Sequence, residues 1–448
     1  ITLHVGEVDS FNLPPYFSSF TFGIRVNDPD TLKTVFESLR PYGGRVLFVG
    51  DFAANGELIE QAGLKNVHHG RMGDISIVTR KGALPGAGDW THKYGNIRNT
   101  IKSDDELVKL PLGILWFGGS SNMDVLPRHG HGPPEQVIGG RLFIQGMDSL
   151  SARDVYTGRV LWKTHLKNLN TYGTFFDQTY QNTPLSIEYN QVHIPGANAR
   201  GTNFISTEDK VYVIEGKVIR VLDTRDGSTV AKIPVPKDAD GKAPEEWGYL
   251  GVADDALIAG AGFANFSQKL GMPHDESDQR RSKWRFTDYD KSASAGLVVM
   301  DRQTGKVRWQ IAAKHGLLHN AITAMDGVLY CLDKLPPNLE DKLKRRGQAK
   351  PETYTLTAYD LKTGEPLWQT NENVFGTWLS CSQEHGILLQ STRPSSDTVR
   401  SEDGERMIAY RAKAGDIIWD KQLSYSTPPI LHGDDIIAGG KMYDLLTG

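Results

Sequence analysis

The stretch that decides the fold is "VVMDRQTGKVRW" at residues 298–309. An apolar run ends in an Asp, Thr-Gly follows after a two-residue gap, and a second short run ends in Trp. Alternating apolar residues predict half-buried strands. The Asp and Gly predict a tight hairpin turn in which Gly adopts the positive φ angle. We expect the Trp to anchor the outer strand against the neighbouring sheet.

The same phrase recurs along the chain. The other copies are "ARDVYTGRVLW" (152–162), "VLDTRDGSTVA" (221–231), "TAYDLKTGEPLW" (357–368), "IAYRAKAGDIIW" (408–419) and the incomplete "KMYDLLTG" (441–448). Two further strand signals separate successive copies, so each repeat holds four strands, A to D, with the phrase in C and D. Repeated four-stranded units predict a β-propeller. We expect burial of the phrase-ending residues Trp162, Trp309, Trp368 and Trp419 between adjacent sheets.

The predicted fold class is mainly β, a propeller of about six four-stranded blades with a small N-terminal α/β segment. The chain opens at Ile1 and stops inside a repeat at Gly448. We therefore expect a fragment of a longer protein, whose intact ring could have about seven or eight blades. Trp116 lies in an outer-strand setting with no C strand before it. We expect residues 112–117 to supply a D strand beside the strand that contains Tyr443, which would close the ring.

Composition excludes several classes of protein. The 448 residues include 50 Lys and Arg against 54 Asp and Glu, a net charge of -4, so a general nucleic-acid binder is disfavoured. No run approaches the roughly 18 apolar residues of a membrane span. The two cysteines, Cys331 and Cys381, form neither a disulfide framework nor a CxxC zinc pattern.

The first 82 residues have a different pattern. "DPDTLKTVFESLRPYGG" (28–44) predicts a helix with an Asp N-cap and a Gly stop. Strands are predicted at "FSSFTFGI" (17–24), "RVLFVGD" (45–51) and "GDISIVTRKG" (73–82), with a short helix in "GELIEQAGLKNV" (56–67). This order is β-α-β-α-β. We therefore divide the chain into an α/β segment, 1–82, and a propeller, 88–448.

The repeats resemble the pyrroloquinoline-quinone (PQQ) repeat propellers, which include quinoprotein alcohol dehydrogenases and the outer-membrane assembly lipoprotein BamB. "LRPYGGRVLFVG" (39–50), "AGLKNV" (62–67) and "ISIVTRKG" (75–82) look like the C-terminal half of a class I S-adenosylmethionine-dependent methyltransferase. No Gly-rich turn or ribose-binding acid accompanies them, so no methyl-donor site and no methyl transfer are expected. Together the two parts resemble the methyltransferase-propeller fusions of planctomycete-type bacteria. The resemblance implies a periplasmic or secreted protein.

The resemblance also raises the question of a quinone cofactor. Quinoprotein dehydrogenases typically carry a vicinal disulfide against PQQ and a calcium site of Glu, Asn and Asp. This chain has no adjacent cysteines. Cys331 is predicted in a B strand and Cys381 in an A strand, where both would be packed core thiols. PQQ is therefore indicated by resemblance only, and the identity of any cofactor stays open.

Propeller topology narrows the search for a site. The predicted B-to-C connections carry three insertions, residues 265–295, 335–353 and 393–406, all on the face where chains enter the inner A strands. Long loops on a rigid ring often bind ligands or partners. The insertions could therefore contact a protein partner, or they could be surface decoration.

Polar and aromatic residues cluster at the predicted entries of the A strands, beside the central channel. The candidate catalytic residues are His131, His319 and Arg200; the candidate substrate-binding residues are Asn203, Trp247, Asn320 and Trp378; the candidate metal ligands are His129, His131 and His92. His and Arg can perform acid-base and anion-stabilising work on uronic or sulfated sugars, and Trp stacks on sugars. A His-x-His pair in a strand puts both rings on one face, an arrangement that suits a divalent metal.

Two classes of function remain open. In the first, the channel mouth binds a small molecule or polysaccharide and acts on a carbohydrate or polyol by hydrolysis, elimination or oxidation, the last as in a quinoprotein-like oxidoreductase. In the second, the propeller is a non-catalytic interaction scaffold like BamB. Burial of the channel-mouth side chains against other side chains would favour the scaffold.

Overall fold

The computed structural model describes most of the chain, and the statements below concern that part. The described residues are 5–23, 26, 28–49, 56–118, 134–146, 148–167, 169, 201–238, 240–244, 246–266, 291–348, 353–394 and 404–448. The candidates His129, His131 and Arg200 fall outside these ranges.

The N-terminal segment forms a four-stranded sheet with two helices and its own core. A short 3-10 helix (Val8–Phe11) precedes the sheet. The elements are β1 (Phe20–Gly23), α1 (Pro29–Ser38), β2 (Arg45–Val49), α2 (Gly56–Gln61), β3 (Val67–Met72) and β4 (Ile75–Arg80), with strand order β1-β2-β4-β3. The Asp28 carboxylate caps α1 by accepting from the Thr31 backbone N–H at 2.8 Å. β3 was not expected, because its "VHHGRM" sequence lacks apolar alternation; pairing with β4 across a tight turn holds it as a strand.

The rest of the chain forms successive antiparallel sheets. Blade 1 has β5 (Gln136–Ile138), β6 (Arg141–Gly146), β7 (Ser149–Asp154) and β8 (Val160–His165). Blade 2 has β9 (Phe204–Ser206), β10 (Lys210–Glu215), β11 (Val218–Asp223) and β12 (Thr229–Pro234). Blade 3 has β13 (Trp247–Ala253), β14 (Ala256–Phe263), β15 (Ala293–Asp301) and the first half of β16 (Val307–Met325).

The remaining blades continue the pattern. Blade 4 has the second half of β16, β17 (Val328–Asp333), β18 (Thr355–Asp360) and β19 (Pro366–Thr370), with α3 (Pro337–Arg345) between β17 and β18. Blade 5 has β20 (Trp378–Ser382), β21 (Ile387–Ser391), β22 (Gly404–Arg411) and β23 (Ile417–Tyr425). Blade 6 has β24 (Ile430–His432), β25 (Asp435–Ala438) and β26 (Lys441–Asp444).

The predicted fold class is confirmed: the protein is mainly β and built of repeated four-stranded antiparallel sheets, as in a β-propeller. Blades 3 and 4 share one seven-stranded sheet because β16 runs from the outer edge of blade 3 to the inner edge of blade 4 without a break. Cys331 lies in a B strand, β17, and Cys381 in an A strand, β20, as predicted. Within the described ranges, no helix combines the length and apolar character needed to cross a membrane.

Adjacent blades are held together by a repeated indole contact. The Nε1–H of a D-strand Trp donates to a backbone carbonyl in the C-to-D turn of the next blade. The pairs are Trp162 to Thr224, Trp309 to Leu361, Trp368 to Ala412 and Trp419 to Leu445, all at 2.8–3.0 Å. Trp162 and Trp419 are buried as expected, whereas Trp309 and Trp368 are only half-buried.

The Gly of the repeated phrase is required by this contact as well as by its turn. Gly364 has φ of +78°, which L side chains rarely adopt. A Cβ at this position would lie 2.5 Å from ring atoms of Trp309. The indole of blade 3 therefore covers the bare backbone of the blade 4 turn. Asp360 fixes that turn by accepting from two backbone N–H groups, those of Lys362 and Thr363.

Trp116 makes the same contact one blade earlier. Its Nε1–H donates to the Val155 carbonyl at 2.8 Å, and its ring covers Gly158 of the blade 1 turn. It therefore takes the place of a D-strand Trp, as the sequence indicated. The predicted pairing of residues 112–117 with β26 is absent from the described structure, where β26 pairs with β25 alone. Most apolar side chains of this segment are exposed, so Trp116 is its main anchor.

Replacing Gly364 by Ala should destabilise the protein more than the same change at Gly386. Both glycines have positive φ, but no heavy atom lies within 4 Å of a Cβ built at Gly386. We expect Gly386→Ala to cost about 1 kcal/mol from the backbone alone. Gly364→Ala should cost about 1–3 kcal/mol more, because the methyl group must displace the Trp309 indole. Denaturant unfolding measures both losses, and equal losses would contradict the role of the indole.

Candidate functional site

The connection between the α/β segment and blade 1 forms a closed loop. Its ends meet where the Glu106 N–H donates to the Gly86 carbonyl at 2.8 Å. The Asp105 carboxylate strengthens this stem by accepting from the N–H groups of Gly88, Leu107 and Val108. Chain segments whose ends meet in this way form compact Ω-type loops.

The interior of the loop folds back on itself. The Thr91 N–H donates to the Gly95 carbonyl at 2.9 Å, and the Ile101 N–H donates to the Tyr94 carbonyl at 3.0 Å. Gly95, Asn99 and Ile101 have positive φ, which allows these tight reversals. The result is a compact tip, residues 90–102, which we call the axial loop.

The axial loop bonds to the inner strands of five blades. Its partners are Val137 for Trp90 in blade 1, Val252 for His92 in blade 3, Thr323 for Ile97 in blade 4, Cys381 for Arg98 in blade 5 and Leu431 for Thr100 in blade 6, all at 2.8–3.1 Å. The A strands of a propeller surround its axis. A segment that bonds to so many of them lies in the central channel. The axial loop therefore occupies the channel beside these inner strands.

Asn99 is the most connected side chain of the axial loop. Its Nδ2 lies 3.0 Å from the Leu379 carbonyl, 3.3 Å from that of Ile322 and 3.5 Å from that of Asn320. These carbonyls belong to the inner strands of blades 4 and 5. Asn99 is buried, and its φ of +54° is one that Asn tolerates better than most residues. A single amide thus links two blades to the loop.

His92, a candidate metal ligand, is engaged with the protein through both ring nitrogens. Nδ1 lies 2.8 Å from the Thr91 Oγ1, and Nε2 accepts from the Val252 N–H at 3.1 Å. Burial lowers the pKa of His92 to about 3, so the ring is neutral near pH 7. Metal binding would require breaking the bond from Val252. Among the described residues, no cluster of three or more His, Cys, Asp or Glu side chains could hold a metal ion.

His319 is packed inside the ring. It is 2% exposed, and its Nε2 lies 2.7 Å from the Ser294 Oγ. The Tyr249 ring lies beside it, with centroids 5.5 Å apart. Ser294 fits against bare glycine backbone: a Cβ at Gly248 would lie 2.7 Å from its Oγ, and one at Gly260 would clash with it. A substrate has no room to approach Ser294, so this Ser-His pair supports packing.

The two candidate Trp residues are also internal. Trp378 is fully buried and makes an edge contact with Tyr94 of the axial loop, with ring centroids 4.6 Å apart. Burial raises the pKa of Tyr94, whose ring also faces the Arg393 guanidinium at 5.8 Å. Trp247 is buried, and its Nε1–H donates to the Ile233 carbonyl of blade 2 at 3.3 Å. The axial loop therefore occupies the position beside Trp378 where a stacked sugar was envisaged.

Part of the predicted convergence is present. A Cβ at Gly201, two residues before Asn203, would lie 3.5 Å from the His319 Cβ. The entry to blade 2 therefore reaches the inner strand of blade 4. Asn320 is buried in the same region. Asn203 is 8% exposed, and among the described residues neither its amide atoms nor the Nε1 of the fully buried Trp378 has a hydrogen-bond partner.

Sequence reasoning missed the role of the axial loop. Within "WTHKYGNIRNT" (90–100), only His92 was proposed from the sequence, as a candidate metal ligand. The available signal was a run rich in Trp, His, Tyr and Asn without strand alternation, with Gly and Asn at positions suited to positive φ. That signal indicates an ordered loop, but it does not reveal what the loop contacts.

Part of the chain matches a known protein family. Residues 282–440 match the protein family described as outer membrane protein assembly factor BamB. This stretch is a BamB-like domain. It covers roughly a third of the chain, from the end of the blade 3 insertion into blade 6. No curated protein sequence matches the chain.

Solved structures with a similar fold include BamB and quinoprotein dehydrogenases. BamB from Moraxella catarrhalis is 17% identical, with 68% of each chain covered and a TM-score of 0.37. Quinohemoprotein alcohol dehydrogenase from Comamonas testosteroni is 13% identical, with 76% of this chain and 51% of that chain covered and a TM-score of 0.45. A europium-containing methanol dehydrogenase is 13% identical, with 70% and 66% covered and a TM-score of 0.38. The chain thus spans about half the length of the Comamonas enzyme.

The described residues beside the propeller axis do not fit a quinone cofactor. Cys331 and Cys381 are buried free thiols on different strands, and burial raises the pKa of Cys381 to about 12. Neither can form the vicinal disulfide that quinoprotein dehydrogenases typically carry. The axial loop also fills the channel beside Trp378. No redox step is therefore assigned to this site.

Replacing Asn99 by Ala should destabilise the protein by about 3 kcal/mol, because buried carbonyls of two blades lose their donor. Asn66→Ala is the matched control. Asn66 also has positive φ and also donates to a backbone carbonyl, that of Ala83, but it is exposed. We expect a loss of about 1 kcal/mol there. Chemical unfolding measures both variants, and comparable losses would show that Asn99 does not link the blades.

His92 should make stability depend on pH. Burial lowers the pKa of His92 in the folded protein to about 3, from an ordinary value of 6.5, so the unfolded state binds more protons between these limits. Stability should fall on acidification through this window by up to about 1.4 kcal/mol per pH unit. His92→Gln keeps an acceptor for Val252 but does not titrate. Its unfolding free energy should depend less on pH than that of the wild type, and identical pH profiles would contradict this assignment.

Proposed function

We propose that the protein is a non-catalytic propeller scaffold that works outside the cytoplasm by binding a protein partner. The observation that carries the proposal is the axial loop, which fills the channel where an active site was envisaged. The BamB-like domain supports it, since that family is described as an outer membrane protein assembly factor.

Two of the candidate residues at the axis, the metal-ligand candidate His92 and the catalytic candidate His319, have structural partners. A general acid or base must reach the reacting atoms of a substrate. His92 is bonded to an inner strand, and His319 is buried against Ser294 and Tyr249. These histidines support the ring, which is what a scaffold requires of its axis.

The two faces of the ring differ in the connections that they carry. The C-to-D turns are tight hairpins on one face, covered by the indoles of neighbouring blades. On the other face, α3 lies between the B and C strands of blade 4. Most of the other two predicted insertions lies outside the described residues. We propose that the partner binds on this insertion face, where α3 carries exposed side chains.

The α/β segment adds a second unit to the proposed scaffold. Arg40 pairs with the buried Asp154 of the first repeated phrase at 3.0 Å, and the Tyr16 and Tyr156 rings meet at 5.4 Å. Its mixed sheet supports the proposal that it derives from the C-terminal half of a methyltransferase domain. We assign it a structural role at blade 1, with no methyl-donor site.

A second candidate function is the binding of a small polar ligand at the insertion-face end of the axis. The observation that favours it is a pair of buried groups, the Asn203 amide and the Trp378 Nε1, for which the described part of the chain provides no hydrogen-bond partner. Buried polar groups usually have partners, so unpartnered ones suggest a bound molecule. A carbohydrate or polyol would offer hydroxyl groups to both.

One set of titrations separates these functions. The protein is mixed with PQQ and Ca²⁺, with glucose or with galacturonate, and its melting temperature and retained quinone absorbance are measured. The scaffold predicts no retained quinone and no change in melting. A ligand at 100 times its Kd would stabilise the protein by about 2.7 kcal/mol. Retained stoichiometric quinone would contradict the scaffold, and a sugar-induced rise abolished by Trp378→Phe would establish the second function.

Site-specific crosslinking tests the scaffold directly. A photoreactive residue replaces Gln348, exposed after α3 on the insertion face, or Lys362, exposed in a hairpin on the opposite face. In cells of the source organism, we expect a discrete crosslinked protein from position 348 and none from position 362. Absence of crosslinks from both positions would count against the scaffold.

A further inference from the structure

Residues 110–117, between the axial loop and blade 1, are an uncharged stretch with exposed apolar side chains. Four of these side chains are 69–92% exposed, namely Leu110, Leu112, Ile114 and Phe117. Contiguous exposed apolar side chains often mark a surface that binds another molecule. We call residues 110–117 the anchored segment, because the Trp116 indole holds them against blade 1.

The anchored segment makes the contact of a D strand without belonging to a sheet. Its Trp116 donates to the Val155 carbonyl and covers Gly158, as the D-strand indoles do at other junctions. Each of those D strands is hydrogen-bonded to the C strand of its own blade. In the part of the chain that the structure describes, no backbone-to-backbone hydrogen bond involves residues 110–117. Its backbone donors and acceptors can therefore pair with a further strand.

The repeats show which residue such a strand would place opposite Trp116. In four blades the register pairs the D-strand Trp with a small apolar residue of the C strand. These pairs are Ala152 with Trp162, Val299 with Trp309, Ala358 with Trp368 and Ala409 with Trp419. Residues directly opposite each other have neighbouring side chains on one face of the sheet. A small residue there leaves room for the indole to lie over the turn of the next blade.

We propose that the anchored segment docks an extended strand of the protein partner by antiparallel pairing, with a small apolar residue opposite Trp116. The inference rests on the proposed scaffold function and names the chemistry of a second contact, besides the insertion face. Strand addition gains affinity from main-chain hydrogen bonds and specificity from the side chains between them. The docked strand would continue the contact that Trp116 already makes with blade 1. A lipid surface fits less well, because lipid tails cannot pair with backbone groups.

The first test uses the full chain and a fluorescent peptide with the sequence of residues 354–361, which contains the C strand of blade 4. In blade 4, Ala358 of this strand faces Trp368. We expect saturable binding, measured by fluorescence anisotropy, that falls about tenfold when the peptide carries Ala358→Trp. Equal binding of the two peptides would overturn the position assigned to Trp116.

Variants of the protein locate the bound peptide. Ile114→Lys/Phe117→Lys should bind it about tenfold more weakly, because the apolar contacts of the anchored segment are lost. The matched control, Phe20→Lys/Phe22→Lys, changes two apolar side chains of the edge strand β1, each 60% exposed, and should bind like the wild type. Both variants should keep the wild-type melting temperature, because all four side chains are exposed. Unchanged binding by the first variant, or a loss confined to the control, would overturn the proposal.

The same variants test two other occupants of the anchored segment. A dimer seen by light scattering, or co-sedimentation with phosphatidylglycerol vesicles, would overturn the proposal if Ile114→Lys/Phe117→Lys abolished it.

Crosslinking in cells separates failure of this proposal from failure of the scaffold. A photoreactive residue at position 114 should crosslink the same protein as one at position 348. A crosslink from position 348 with none from position 114 would overturn strand docking but keep the scaffold. Absence of both crosslinks would count against the scaffold itself and against the docked strand with it.

Discussion

The ring depends on an indole of one blade lying over a turn of the next. The contact has two parts: a hydrogen bond from Nε1–H to a turn carbonyl, and the ring face against a glycine that must lack a Cβ. The same few residues therefore define the hairpin within a blade and the fit between blades. Between blades 2 and 3 the pattern changes, and Ile233 lies over Gly305 in place of an indole. The outer strand of blade 2 has no Trp. At this junction Tyr212 donates to the Arg302 carbonyl at 2.7 Å, and Arg302 pairs with Asp209 at 2.7 Å.

The blades were predictable because their determinants are local and repeated. An alternating run, an Asp that caps its own turn and a Gly with positive φ lie within about a dozen residues, and five copies reinforce one another. The axial loop was not predictable in this way. Asn99 meets Leu379, which is 280 positions away, and nothing near Asn99 in the sequence specifies that contact. The pairing of residues 112–117 with β26 failed for a related reason, since pairing depends on ring geometry that no local pattern determines.

The candidate site shows the same limit. His319, Asn320 and Trp378 lie on the inner strands of blades 4 and 5. The sequence could not show that Tyr94 and Asn99 fill the space between them, because an open channel and a filled one need similar inner-strand residues. Polar side chains at an axis can serve catalysis or hold an internal segment, and their hydrogen-bond partners decide between the two. Here those partners include Ser294 and the axial loop itself. The insertion face then becomes the surface on which binding is proposed.

Hydrogen–deuterium exchange of the axial loop in the native protein tests the central claim most directly. The amides of Thr91, Gly95 and Ile101 donate within the loop, and that of Leu431 donates to the Thr100 carbonyl. If the loop fills the channel, peptides covering residues 90–102 should exchange as slowly as the inner strands β13 and β20. Exchange of residues 90–102 as fast as that of the exposed segment 107–115 would mean that the channel is open and the axis available to a ligand.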